Sequence, residues 1–128
     1  MTEIITGVSW IGVVVGAVVA FLVGWLWYSP MLFGKQWAAG NNIEMGSAST
    51  MPMPAMITQA IGLLLISWFV GVTAVESKLW TFILAVIGFG VLQASGELFT
   101  KKPTSVMWID FGYLIAAAVV MFIAQMIF

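Results

Sequence analysis

The chain has 128 residues, of which 62% are hydrophobic and 7% charged, with a formal net charge of −1 and a mean hydropathy of +1.13. That leaves too little polar surface to cover a water-soluble globule, and no charge field that would attract nucleic acid. The sequence contains no Cys and no His, which excludes disulfides, thiol and imidazole catalysis, and the usual zinc, haem and iron–sulfur ligand sets.

The lipid bilayer is the implied solvent. About 20 apolar helical residues cross a hydrocarbon core of about 30 Å, and the sequence holds four such runs with little between them. They predict an all-α integral membrane protein, a single domain over residues 1–128 folded as an up-and-down bundle of four transmembrane helices.

The first helix is predicted over residues 4–28, about 37 Å long, so it must tilt or protrude into the headgroups. Lacking a basic leader region, it reads as a retained helix and not as a signal peptide. Gly12, Gly16, Ala20 and Gly24 recur every fourth residue and form a stripe of small side chains where another helix can approach. Ser29 then offers an N-cap and Pro30 a first helical residue, which predicts a short interfacial helix through Trp37. Phe33 and Trp37 would share its lipid-facing side, with Lys35 turned towards headgroups or water.

Residues 40–50 are small and polar and read as a loop. The second helix is predicted over 54–75, because the prolines at 52 and 54 are tolerated at a helix start but not inside one. Glu76, Ser77 and Lys78 make a tight turn. The third helix follows over 79–99, and after Lys101, Lys102 and Pro103 the fourth runs over 104–128. With four crossings Lys35, Lys101 and Lys102 fall on one side and only Lys78 on the other, so the positive-inside rule puts the first three in the cytoplasm and both termini outside.

Polar residues inside the predicted spans collect near that cytoplasmic face. Gln59, Gln93 and Asp110 come out about 8–10 Å deep by the helical rise. Glu97 lies one turn from Gln93 on the same side, Tyr113 follows Asp110 by three, and Tyr28 and Lys35 border the same face. A carboxylate at a bilayer centre costs roughly 2.5–3.5 kcal/mol on insertion scales, less near the interface, so Asp110 must be paired, protonated or beside water. Three readings follow: an ion-pair and hydrogen-bond clamp using Lys35, Lys101 or Lys102; a small polar pocket in which Asp110 is the ionisable group; or a side chain reaching headgroup water. Most of the tryptophans fall near span ends, as an aromatic belt would have them, whereas Trp68 sits inside the second helix against a partner helix or a ligand. The nine Met residues read as core filling and not as a copper site.

The stretch from Gly24 to Trp37, with its Trp27-Tyr28-Ser29-Pro30, Phe33-Gly34 and Trp37 elements, resembles the signature of the small bacterial membrane proteins known as domain of unknown function 1761. Ile109-Asp110-Phe111-Gly112-Tyr113 is similar to that family's second patch, although Leu114 stands where many members carry His. The resemblance implies the four-helix fold, a bacterial inner membrane, and that the Tyr28–Trp37 elbow and the Asp110–Tyr113 patch are neighbours. It implies no reaction.

The leading functional expectation is a non-enzymatic protein, oligomeric and without cofactor or metal, that binds or passes a small solute, ion or lipid at the Asp110 cluster. The alternative is an accessory or assembly subunit of a larger membrane complex. A lipid-acting enzyme using Glu97, Asp110 and Tyr113 for acid–base work ranks third.

Overall fold

The computed structural model of the protein describes residues 2–43 and 52–128. Among the described residues five α-helices follow a 3-10 turn at Thr2–Ile4: α1 (Trp10–Trp27), α2 (Gly34–Gly40), α3 (Met53–Val75), α4 (Leu79–Phe99) and α5 (Thr104–Ile127). All but α2 are long and apolar enough to cross a membrane.

The first long helix is shorter than the hydropathy suggests. Ser9 has extended backbone and its Oγ accepts a hydrogen bond from the Gly12 N–H at 3.2 Å, so α1 begins at Trp10 and not at residue 4. Gly7, at φ +79°, turns the chain before it. Eighteen residues give about 27 Å, close to a bilayer core, and remove the need for a large tilt. The N-terminal segment folds back onto α3, where Trp68 Nε1 donates to the Ile4 carbonyl at 2.6 Å and its ring lies 5.5 Å from that of Trp10. Trp68 is therefore an anchor for the chain's own start.

The elbow after α1 also differs. Ser29 does not cap a helix; its hydroxyl donates to the Leu26 carbonyl, and α2 starts five residues later at Gly34. The Phe33 and Gly34 N–H groups donate back to Trp27 and Ser29 carbonyls at 3.0 and 2.9 Å, so the chain doubles on itself. A side chain at Gly34 would collide with the backbone of Tyr28 and Ser29. The reversal turns Phe33 and Trp37 away from lipid. Phe33 packs on Trp27 with ring centroids 4.9 Å apart, and Trp37 on Tyr28 at 5.5 Å. The predicted loop lies largely outside the described residues; its first residue, Gly40, closes α2.

Both helical hairpins turn the same way. Lys78 N–H reaches the Thr73 carbonyl and Lys102 N–H that of Glu97, five residues back, with Ser77 and Lys101 left-handed at φ 55° and 61°. This is the Schellman closure that glycine usually serves, here made without one.

The bundle runs up and down. α1 packs antiparallel on both α5 and α3, and α4 lies mainly against α5. Gly12, Gly16, Ala20 and Gly24 are all buried in α1. A Cβ on Gly16 would stand 3.3 Å from Met121 Cα, and one on Gly24 only 2.8 Å from the Tyr113 hydroxyl, so these residues set how closely α5 can approach. Two buried hydroxyls fasten the seam: Ser67 donates to the Val13 carbonyl at 2.7 Å and Tyr113 to that of Ala20 at 2.8 Å. Around them Leu63, Val70, Phe82, Ala117 and Met121 form the apolar core.

Candidate functional site

The topology brings the end of α1, the start of α3, the end of α4 and the start of α5 to one end of the bundle. Asp110 lies six residues into α5, about 9 Å along it. Its Oδ1 accepts a hydrogen bond from the Tyr28 hydroxyl at 2.6 Å, a short, charge-assisted contact across 82 residues of sequence. Next to it Trp27 Nε1 donates to the Ile109 carbonyl at 3.0 Å. The last residue of α1 and its C-cap are thus tied to two consecutive residues of α5, so the elbow and the patch meet.

The Glu97 carboxyl lies beside that of Asp110. Its Oε2 is buried and, among the described residues, has no hydrogen-bond partner. The Tyr113 ring stands 5.5 Å from that of Tyr28, and the Gln59 amide lies near the Tyr113 hydroxyl. Trp37 also packs on Tyr28, and its buried Nε1 likewise lacks a partner among the described residues.

No lysine pairs with Asp110. Among the described residues the one salt bridge joins Lys78 and Glu76, at the opposite end and exposed. Lys102 is near enough to bias Glu97 but donates to Asn41 Oδ1, which ties the end of α2 to the turn before α5. Lys35 is exposed on α2. The ion-pair clamp is corrected accordingly: a phenol, and not an ammonium, holds the aspartate. The physical reason is reach, because the reversal after α1 turns Lys35 outward while placing Tyr28 opposite Asp110.

Of the sequence-derived residues, Tyr28, Glu97, Asp110 and Tyr113 come together and Gln59 borders them. Gln93 and Lys35 do not join this contact set: both are exposed, and no hydrogen bond to either occurs among the described residues. Sequence reasoning missed Trp27 and Asn41 as neighbours; it reached Trp37 only through the family resemblance, and took Lys102 for a partner of Asp110 and not of Asn41. Trp37 could not be found by helical spacing, since the turn after Tyr28 breaks the period. Trp27 carried a usable signal in its adjacency to Tyr28. No group of three or more His, Cys, Asp or Glu side chains gathers as a metal site among the described residues.

Four membrane-length apolar helices with a tyrosine–carboxylate cluster at one end define a small four-span membrane protein. Within that class, the chain belongs to the family described as Protein of unknown function (DUF1761), which matches residues 11–125, nearly its whole length. No curated protein and no solved structure matches it.

Proposed function

We propose that the protein binds a small monovalent cation at the Glu97–Asp110 pair and that this end of the bundle faces the cytoplasm. The observation that carries the reading is two carboxyl groups side by side near a membrane face with no lysine paired to Asp110. Adjacent carboxylates repel, more strongly where water is scarce, and a positive charge placed between them removes the repulsion. The buried Glu97 Oε2, to which no donor is bonded among the described residues, offers an acceptor for that charge. Tyr28 satisfies one oxygen of Asp110 and fixes its direction, and its ring, packed on those of Trp37 and Tyr113, brings aromatic surface to Asp110 that favours a cation over an anion. The lysine distribution supports this orientation.

Calorimetric titration of the protein in lipid nanodiscs with sodium, potassium and methylammonium chloride tests this reading. Saturable binding of at least one of them, lost in Asp110→Asn and in Glu97→Gln while the helical signal is retained, is the expected result. Binding unchanged in both variants, or no binding of any of the three, overturns it.

A further inference from the structure

Among the described residues two buried side-chain polar atoms have no hydrogen-bond partner, the Trp37 Nε1 donor and the Glu97 Oε2 acceptor. A polar group buried without a partner gives up its hydration uncompensated, so each calls for a physical account. The two atoms lie on different helices, yet α2 governs both. Trp37 belongs to it, and its C-cap, Asn41, holds the cation nearest to Glu97. Lys102 is close enough to Glu97 to act on it electrostatically, but its ammonium donates to the Asn41 Oδ1. Asn41 is fixed in turn by its Nδ2, which donates to the Trp37 carbonyl at 2.9 Å. An ammonium therefore bonds a neutral amide while a carboxyl oxygen in its neighbourhood goes without a donor.

A single movement would satisfy both atoms. With seven residues α2 is too short to be stable as a free helix and is held by what it touches. Its N-terminal end is tied to Trp27 and Ser29 through the Phe33 and Gly34 N–H groups. Its other end rests on the start of α5: Ala38 is buried, a Cβ on Gly40 would collide with the Val106 side chain, and Asn41 takes Lys102. When that end swings away from α5, the Trp37 N–H reaches interfacial water, and Lys102, released from Asn41, can donate to Glu97. Apolar contact favours the closed arrangement, through Ala38, Gly40 and the Trp37 ring on that of Tyr28. Hydrogen bonding favours the open one, in which neither atom is left without a partner.

We propose that α2 is a two-state strap: closed, it keeps Lys102 on Asn41 and leaves Glu97 unpaired; open, it releases Lys102 to Glu97 and Trp37 to water. The strap stands without the cation reading above. Where that reading holds, closure is what leaves the Glu97 oxygen to an incoming cation, and Lys102 is that cation's competitor within the chain.

Thiol labelling reads the strap directly, because the sequence contains no Cys. Ala38→Cys puts a thiol at a buried position of α2 and Ala39→Cys one at an exposed position. In nanodiscs a water-soluble maleimide should modify the Ala38→Cys thiol at a rate proportional to the open fraction. Adding Asn41→Ala removes the partner of Lys102 in the closed state and should raise that rate at least about fivefold. Adding Glu97→Leu as well removes its partner in the open state and should bring the rate back to within about twofold of the starting value. The Ala39→Cys thiol should label alike in all three backgrounds. Equal rates with and without Asn41→Ala overturn the strap. So does a rise that Glu97→Leu leaves standing, since Asn41 and Lys102 would then be a clamp and nothing more. Should Ala38→Cys itself hold α2 open, it will label as fast as Ala39→Cys, and the same three backgrounds are then compared by the distance between nitroxides on Ala39→Cys and Thr104→Cys, both exposed positions. A second, longer distance should grow with Asn41→Ala and recede with Glu97→Leu; one unchanged distance in all three overturns the proposal.

Discussion

The bond between Tyr28 and Asp110 should be measurable as a coupling energy. Tyr28→Phe removes one hydroxyl and leaves the ring against Trp37 and Tyr113, so no cavity opens. Asp110→Ala removes the acceptor. A hydrogen bond to a charged group contributes roughly 1.5–3 kcal/mol in soluble proteins. Interhelical bonds in a membrane bundle average about 0.6 kcal/mol with a maximum near 1.7, because the unfolded chain in lipid also finds partners. At 2.6 Å and with a carboxylate acceptor this contact belongs near the top of that range, so the double-mutant cycle should give about 1.5 kcal/mol. The assay is reversible unfolding in mixed micelles by SDS titration, followed by far-ultraviolet circular dichroism, for the wild type, both single variants and the pair. Additive losses, with coupling below about 0.3 kcal/mol, would refute the claim that the phenol holds the aspartate.

Three further outcomes are expected from the same packing. Gly16→Leu should destabilise the bundle by about 1–3 kcal/mol, since its Cβ meets the α5 backbone at Met121, whereas Gly88→Leu should be neutral or stabilising by up to about 1 kcal/mol; the same SDS titration reads both. Ser77→Gly relieves a left-handed residue at a helix end and should stabilise by about 0.5–1 kcal/mol, a higher unfolding midpoint with unchanged slope. Because the sequence contains no Cys, single Glu76→Cys and Lys101→Cys variants report sidedness directly: in intact cells a membrane-impermeant maleimide should label the first and not the second, and the reverse pattern would invert the orientation.

The four long helices were legible because hydropathy alone marks a span, and the packing seam because small residues at every fourth position leave few other uses. The start of α1 was not, as the apolar run continues through Ile4 and Ile5 past the point where Gly7 and Ser9 break it. Ser9 before Trp10 was a signal that hydropathy overrode. The elbow failed for a different reason. Ser29-Pro30 makes a sound local helix start, but backbone bonds from Phe33 and Gly34 back to Trp27 and Ser29 prevail over that propensity. At the site, chain depth placed Asp110, Glu97, Tyr113 and Tyr28 at one level, which is why they could be grouped. Depth says nothing of azimuth, and so Gln93 was put inside the cluster when it stands at the rim, and a lysine was expected where a tyrosine sits.

The contact between Tyr28 and Asp110 also sets an order of events during synthesis. Eighty-two residues separate the two partners, and at about 5–20 residues per second Asp110 is made roughly 4–16 s after Tyr28. Through that interval α1 can wait in lipid without penalty from its seam, since glycine and alanine carry no polar side-chain atoms and the helix satisfies its own backbone. Ser67 on α3 can reach the Val13 carbonyl in the meantime. The aspartate is therefore made after the hydroxyl that receives it, at a time when α1 and α3 can already be packed together. A chain with the partners exchanged, acid first and phenol last, would hold a carboxylate in the bilayer face for those same seconds with neither its tyrosine nor a neighbouring lysine to receive it.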